Sequence, residues 1–183
     1  MKKIGAALLL TTAMTTQPVF AEGWEFLPGT SDDYQSEMTV SALYGIMDPA
    51  PSGADSSGVV GVELALNCPL LKAPNGTIRQ QASLTRYDED GVELTTIEIN
   101  PHYLVEMSDR LALGFGPGLG YLKADATGVS DGVFALQAGV SLHYNMDRLF
   151  IGAEARYQWT QEIDDTNDDM NNSRIIAKVG YRF

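Results

Sequence analysis

Eleven charged or strongly polar residues recur at alternate positions in segments scattered along the chain: Glu63, Arg79, Gln81, Glu98, His102, His143, Glu154, Arg156, Arg174, Lys178 and Arg182. Acids and bases are mixed. If these side chains share one enclosed space they must compensate one another, because a charge taken out of water without a partner carries a large desolvation cost. The same set, less tightly filled, would line a narrow polar passage. Nucleophilic chemistry has one candidate: Ser141 and His143 stand at i, i+2 on the same strand face, with Glu154 or Glu106 as a carboxylate to orient the imidazole. The run Glu162–Asn172 is strongly acidic and offers oxygens suited to Ca²⁺ or Mg²⁺. It lacks the ligand spacing and the glycine of an EF-hand loop, so a solvated loop is expected there. No catalytic residue, metal site or cofactor is expected. The single cysteine, Cys68, rules out an intramolecular disulfide and is read as a buried or apolar-facing thiol.

The elements that position these residues begin after residue 21. Met1-Lys2-Lys3, an apolar stretch centred on Ile4–Leu10 and the ending Val19-Phe20-Ala21 have the pattern of a cleaved signal peptide, with an N-terminal segment over 22–35 behind it. The net charge is −12, and removal of Lys2 and Lys3 takes the mature chain to −14. That balance excludes nucleic acid as a partner. From residue 36 onward, eight segments alternate with period two: about Ser36–Met47, Ser57–Asn67, Thr77–Tyr87, Val92–Glu106, Arg110–Lys123, Gly132–Asn145, Arg148–Thr160 and Ser173–Phe183. In the seventh, Leu149, Ile151, Ala153, Ala155, Tyr157 and Trp159 oppose Glu154, Arg156 and Gln158. The third alternates least clearly. In the fifth, Gly114, Gly116, Gly118 and Gly120 share the polar face, either opening space or admitting long side chains from elsewhere.

Most segments reach about ten residues, the length of a tilted strand crossing a bilayer, whereas soluble sheets average about five or six. The count is even and the apolar face continuous, which predicts an all-β fold: an eight-stranded antiparallel up-and-down transmembrane β-barrel over 36–183. Closure is obligatory, because an unpaired backbone group in hydrocarbon costs several kcal/mol; the last strand must pair with the first. Turns at Met107–Asp109 and Met146–Asp147 are tight, on the side expected to be periplasmic. Connections near 48–56, 124–131 and 161–172 are longer. Two connections break the asymmetry: 68–76 is long for its side and Asp88–Gly91 is short. Aromatics gather at strand ends, Tyr103, Tyr144, Phe150, Tyr181 and Phe183 at one and Tyr44, Tyr121, Tyr157 and Trp159 at the other, as interfacial girdles require. Pro101 and Pro117 cannot donate to a ladder, so an irregularity is expected near them.

The terminal Ile175-Ile176-Ala177-Lys178-Val179-Gly180-Tyr181-Arg182-Phe183 alternates and ends on an aromatic, with Tyr181 and Phe183 as its signal residues. With the signal peptide and eight strands, the chain resembles the small outer-membrane β-barrel superfamily, the OmpA/OmpX-like group. The resemblance implies a place in the cell outer membrane, contact with its lipids and lipopolysaccharide, and handling by periplasmic chaperones and the barrel-assembly machinery. It does not imply one activity. Three roles follow as expectations: a structural or surface-interaction barrel, a narrow pore for ions or small solutes, and a lipid A-modifying enzyme. The third fits worst, because Ser141 and His143 point inward at the end away from the outer leaflet. A soluble lipocalin-type barrel is the competing fold.

Overall fold

The computed structural model describes residues 23–49, 55–89, 91–126, 129–161 and 170–183. The signal segment expected over 1–21 and nearly all of the acidic run at 162–169 lie outside those residues. Ten strands follow in order: β1 (Glu25–Phe26), β2 (Thr39–Pro49), β3 (Ser57–Asn67), β4 (Leu71–Lys72), β5 (Thr77–Glu89), β6 (Val92–Glu106), β7 (Leu111–Ala126), β8 (Val129–Met146), β9 (Leu149–Thr160) and β10 (Asn172–Arg182). β1 and β4 pair in a small separate sheet, and the other eight close into an antiparallel barrel in which β10 returns to β2. The expected eight-stranded barrel is what the chain forms.

Closure runs the full length of the last strand, from Asn172 opposite Pro49 to Arg182 opposite Thr39. The Phe183 amide extends it by donating to the Met38 carbonyl at 3.0 Å. Stepping sideways from Arg182 leads to Thr39, Ala65, Gln81 and Asn100, then, keeping the register of Ile99↔Leu119 across an unpaired stretch, to Gly118, Gln137 and Gln158, and back to β10 at Asn172, ten residues before the start. That stagger tilts the strands and, with eight of them, fixes a lumen only wide enough for side chains.

The start of β2, the C-terminal Phe183 and the turns at 107–110 and 147–148 mark one end of the barrel, the terminus end. The other is the hairpin end. Along the middle, outward residues are apolar and exposed, such as Val62, Ile97, Leu119, Leu136 and Val179. Toward the hairpin end the pattern inverts. Inward positions become apolar (Met47, Val59, Tyr87, Leu94, Leu122, Val133) and outward ones polar (Arg86, Asp88, Glu93, Lys123, Asp125). This inversion corrects the expected 124–131 connection: β7 runs to Ala126 and β8 starts at Val129. Polar Asp125 and Asp131 read as loop in the sequence, but above the bilayer a strand exposes polar residues to water.

Pro101 and Pro117 face each other across β6 and β7. Pairing there stops after Ile99↔Leu119 and resumes at Tyr103↔Phe115, four residues on in both strands. The ladder is thus interrupted without an inserted residue. Pro117 keeps its place opposite Ala138 of β8. Aromatic pairs mark both rims, Tyr103–Phe115 and Tyr181–Phe183 at the terminus end and Tyr121–Phe134 and Tyr157–Trp159 at the hairpin end. Phe150 is a correction. It is inward and 7% exposed, with its ring 5.1 Å from that of His143, because its parity on β9 is that of Glu154 and Arg156.

The long 68–76 connection also has its reason. It carries β4, which pairs with β1 of the N-terminal segment, Glu25 opposite Lys72 and Phe26 opposite Leu71. The Tyr34 hydroxyl donates to the Asn67 carbonyl at 2.5 Å, tying the residues before β2 to the foot of β3.

Candidate functional site: a filled lumen and a protruding sheet

The inward face of six strands, β3, β5, β6, β8, β9 and β10, brings most of the sequence-derived charged residues into one network. At its centre Lys178 Nζ lies 2.5 Å from Glu63 Oε2 and 2.6 Å from Glu154 Oε2. The other Glu154 oxygen accepts from Arg156 Nε at 2.6 Å. Arg174 pairs with Glu98 and also donates to Gln137 at 3.0 Å, while Ser83 and Asn100 donate to Glu98, each at 3.3 Å. Every acid of the set thus has a cation, as burial demands. Alternation puts these residues on one face of each strand, and the ten-residue stagger brings distant strands to the same height.

The histidines extend the network. Arg156 donates to His102 Nε2 at 2.7 Å. A guanidinium cannot accept, so His102 Nε2 accepts and the proton sits on Nδ1. That Nδ1–H donates to Ser141 Oγ at 3.0 Å, leaving the Ser141 hydroxyl to donate to His143 Nε2 at 2.8 Å. Ser141 and His143 therefore do meet as hydroxyl and acceptor. Neither carboxylate named for orienting His143 is placed for it. Glu154 is taken by Arg156 and Lys178, and Glu106 is exposed at the end of β6. The serine is 3% exposed and faces the lumen, away from lipid.

Arg79 and Arg182 stand apart from this cluster. Arg79 bonds Thr39 at 3.0 Å and Asn67 at 3.1 Å, and Arg182 bonds Asn145 at 2.6 Å. Both line a cavity of about 250 Å³ at the terminus end, together with Glu37, His143 and Phe150. The four glycines of β7 do not open a passage. A Cβ on Gly118 would meet Asn100 Oδ1 at 1.9 Å, and one on Gly120 would meet Gln137 Nε2 at 2.6 Å. Gly114, Gly118 and Gly120 make room for side chains of neighbouring strands, and Gly116 for the backbone at Pro101.

Above the network lies what the sequence reading missed. Leu43, Met47, Val59, Tyr87, Leu94, Leu122, Ala124, Val133 and Ile176 form one buried apolar cluster inside the barrel, with Val92 and Met170 packed against it. The signal was present in the inversion of polarity near strand ends, which is invisible when each strand is averaged. Outside this cluster β5, β6, β7 and β8 continue as a four-stranded sheet. β6 pairs with β7 up to Glu93↔Asp125, whereas β9 pairs with β8 only from Thr160↔Ala135. Among the described residues, no strand pairs with 129–134 on the side away from β7.

The match to known proteins agrees with this geometry. The model of the outer membrane protein beta-barrel domain matches residues 6–183. The chain belongs to this family. Its members occupy the outer membrane, and so does this barrel. No curated protein matches the sequence. Among solved structures, the barrel is similar to Ail, the attachment invasion locus protein of Yersinia pestis, at 18% identity, with 82% of this chain and 100% of that one covered and a TM-score of 0.55. It is similar to the N-terminal barrel domain of Pseudomonas aeruginosa OprF (13% identity, 81% and 98% covered, TM-score 0.55) and to neisserial surface protein A (17% identity, 80% and 96% covered, TM-score 0.54). At such identities the shared property is the fold. Ail has also been solved in complex with the heparin analogue sucrose octasulfate.

Proposed function

We propose that this family member is a closed, surface-displaying barrel: a structural and surface-interaction protein that neither conducts nor catalyses. The observation that carries the reading is the division of the lumen into an ion network in which every acid is paired with a cation and, above it, an apolar core. An ion crossing would break the Lys178 and Arg174 pairs and then enter a layer built of Tyr87, Leu94 and Leu122, each at most 1% exposed. In this reading the charged lumen residues are structural. The terminus end faces the periplasm, so that the short turns lie inside and the protruding sheet outside. Residues 1–21 direct export, and Tyr181 and Phe183 present the signal that the assembly machinery reads. Catalysis on lipid A has no support, since Ser141 points away from lipid and its histidine lacks an orienting carboxylate.

The protruding sheet is the interaction element. Strand addition to an exposed edge is a general recognition mode, and among the described residues no strand pairs with 129–134 on the side away from β7. The purified barrel reconstituted in planar bilayers should show no unit conductance, and Leu94→Gly with Leu122→Gly should remain silent because the ion network still fills the lumen. Regular single-channel steps from the unmodified protein would sink this reading in favour of the narrow pore.

A further inference from the structure

The small β1–β4 sheet has no role in closing the barrel, yet it is firmly placed. The arm 68–76 turns outward over the wall. The Tyr103 hydroxyl donates to the Asn75 carbonyl, and Ile78, the lateral partner of Tyr103, lines the cavity beneath the arm. Both Ile78 and Tyr103 have outward parity, and both are only half-buried where their outward neighbours Ile97 and Ile99 are exposed. The arm therefore lies against the lipid-facing side, at the height of the Tyr103–Phe115 pair of the terminus-end rim. Gly76 makes the approach possible: its φ is +73°, and a Cβ there would stand 2.3 Å from the Leu104 carbonyl oxygen.

The N-terminal segment then runs along this arm. The Leu27 amide donates to the Leu70 carbonyl at 2.9 Å and the Gly29 amide to the Pro69 carbonyl at 3.0 Å. This brings Phe26, Leu27 and Leu70 together, 56%, 54% and 63% exposed. Phe26 stands opposite Leu71 and Leu27 bonds Leu70 one step on, while the remaining pair of the sheet, Glu25 and Lys72, forms an ion pair at 3.0 Å. The charges of the sheet are thus neutralised by each other, and its exposed side chains are otherwise apolar, beside a girdle whose rings sit at headgroup level.

We infer that β1, β4 and their flanking residues form an interfacial foot, which sets Phe26, Leu27 and Leu70 into the headgroup–acyl boundary of the phospholipid leaflet at the terminus end. The partner is the bilayer surface itself. An apolar patch at this height is in contact with lipid by position, and burying it there removes it from water. The N-terminal segment is then a membrane-bound element and not a free periplasmic one.

Trp24, next to β1, is a built-in reporter, because Trp159 is the only other tryptophan. The Trp159→Phe protein would be placed in phosphatidylcholine nanodiscs with or without bromine on the upper acyl chain. Trp24 should lose most of its emission in brominated discs and resist quenching by iodide. In a Phe26→Ser, Leu27→Ser, Leu70→Ser variant that keeps the heat-dependent gel shift of a folded barrel, bromine quenching should be lost and iodide quenching gained; Leu70→Ser alone should give an intermediate shift. Trp24 open to iodide and insensitive to bromine in the parent would overturn the inference. So would unchanged bromine quenching in the triple variant.

Discussion

Lys178 is enclosed by Glu63 and Glu154 at 2.5 and 2.6 Å and is 2% exposed. Removing its charge alone leaves Glu63 without a cation, while Glu154 keeps Arg156. Breaking a buried pair from one side costs about 3–5 kcal/mol, whereas replacing both partners by apolar residues is close to neutral. Lys178→Met should therefore lower the urea midpoint of the folded barrel sharply, and Glu63→Leu added to it should recover most of the loss. Additive destabilisation in the double variant would contradict the pairing. The Ser141 hydroxyl is bracketed by two histidines and serves the same network. Ser141→Ala should remove no activity, only the hydrogen bonds that order His102 and His143, for about 1–3 kcal/mol of stability by the same urea measurement.

At the scale of the element, β7 sets where the lumen fills. Its inward glycines differ in what they face. A Cβ on Gly116 would lie 2.0 Å from the Pro101 carbonyl oxygen, a backbone atom that cannot withdraw, while one on Gly120 meets the flexible end of Gln137. Overpacking of a filled interior costs about 1–3 kcal/mol and more where the backbone must shift. Gly116→Ala should thus cut the yield of heat-modifiable barrel far more than Gly120→Ala. Equal yields would mean that the interruption at Pro101 and Pro117 leaves slack on β6. The same element shows how a strand changes solvent along its length: Leu119 and Tyr121 face outward in the bilayer, and Lys123 and Asp125 face outward beyond it.

On the scale of the whole molecule, the hairpin end is acidic. Among the described residues there, Asp48, Asp55, Asp88, Glu89, Glu93, Asp125 and Asp131 outweigh Arg86 and Lys123, and three of those acids already hold the two cations. Polyanion binding of the kind seen with Ail and sucrose octasulfate should not carry over. The folded barrel in detergent should pass through immobilised heparin without retention at physiological salt. Retention that falls with rising salt would show a basic surface that the described residues of this end do not form.

The sequence by itself determined the class of fold, because period-two alternation and the intolerance of hydrocarbon for open edges leave few solutions to a chain with eight such segments. It also determined which residues enter the lumen, since parity alone separates Glu154 and Arg156 from Ala153 and Ala155. Phe150 was misplaced only where girdle position was weighed above that parity. Partners were not legible. That Lys178 meets Glu63, 115 positions away, depends on the stagger of the closed sheet, which no local pattern records. Nor does any one strand show the extent of the apolar core within the hairpin end: Tyr87 and Leu94 are lateral partners on neighbouring strands, but Leu43, Met47 and Ile176 on β2 and β10 join the same cluster only through the curl of the closed sheet. The purpose of the long 68–76 connection was hidden for the same reason: β4 and β1 lie far apart in the chain and are two residues each, too short to declare themselves before they pair. The tertiary structure decided these points, because contact between strands is set by register around the barrel and periodicity along one strand is blind to it.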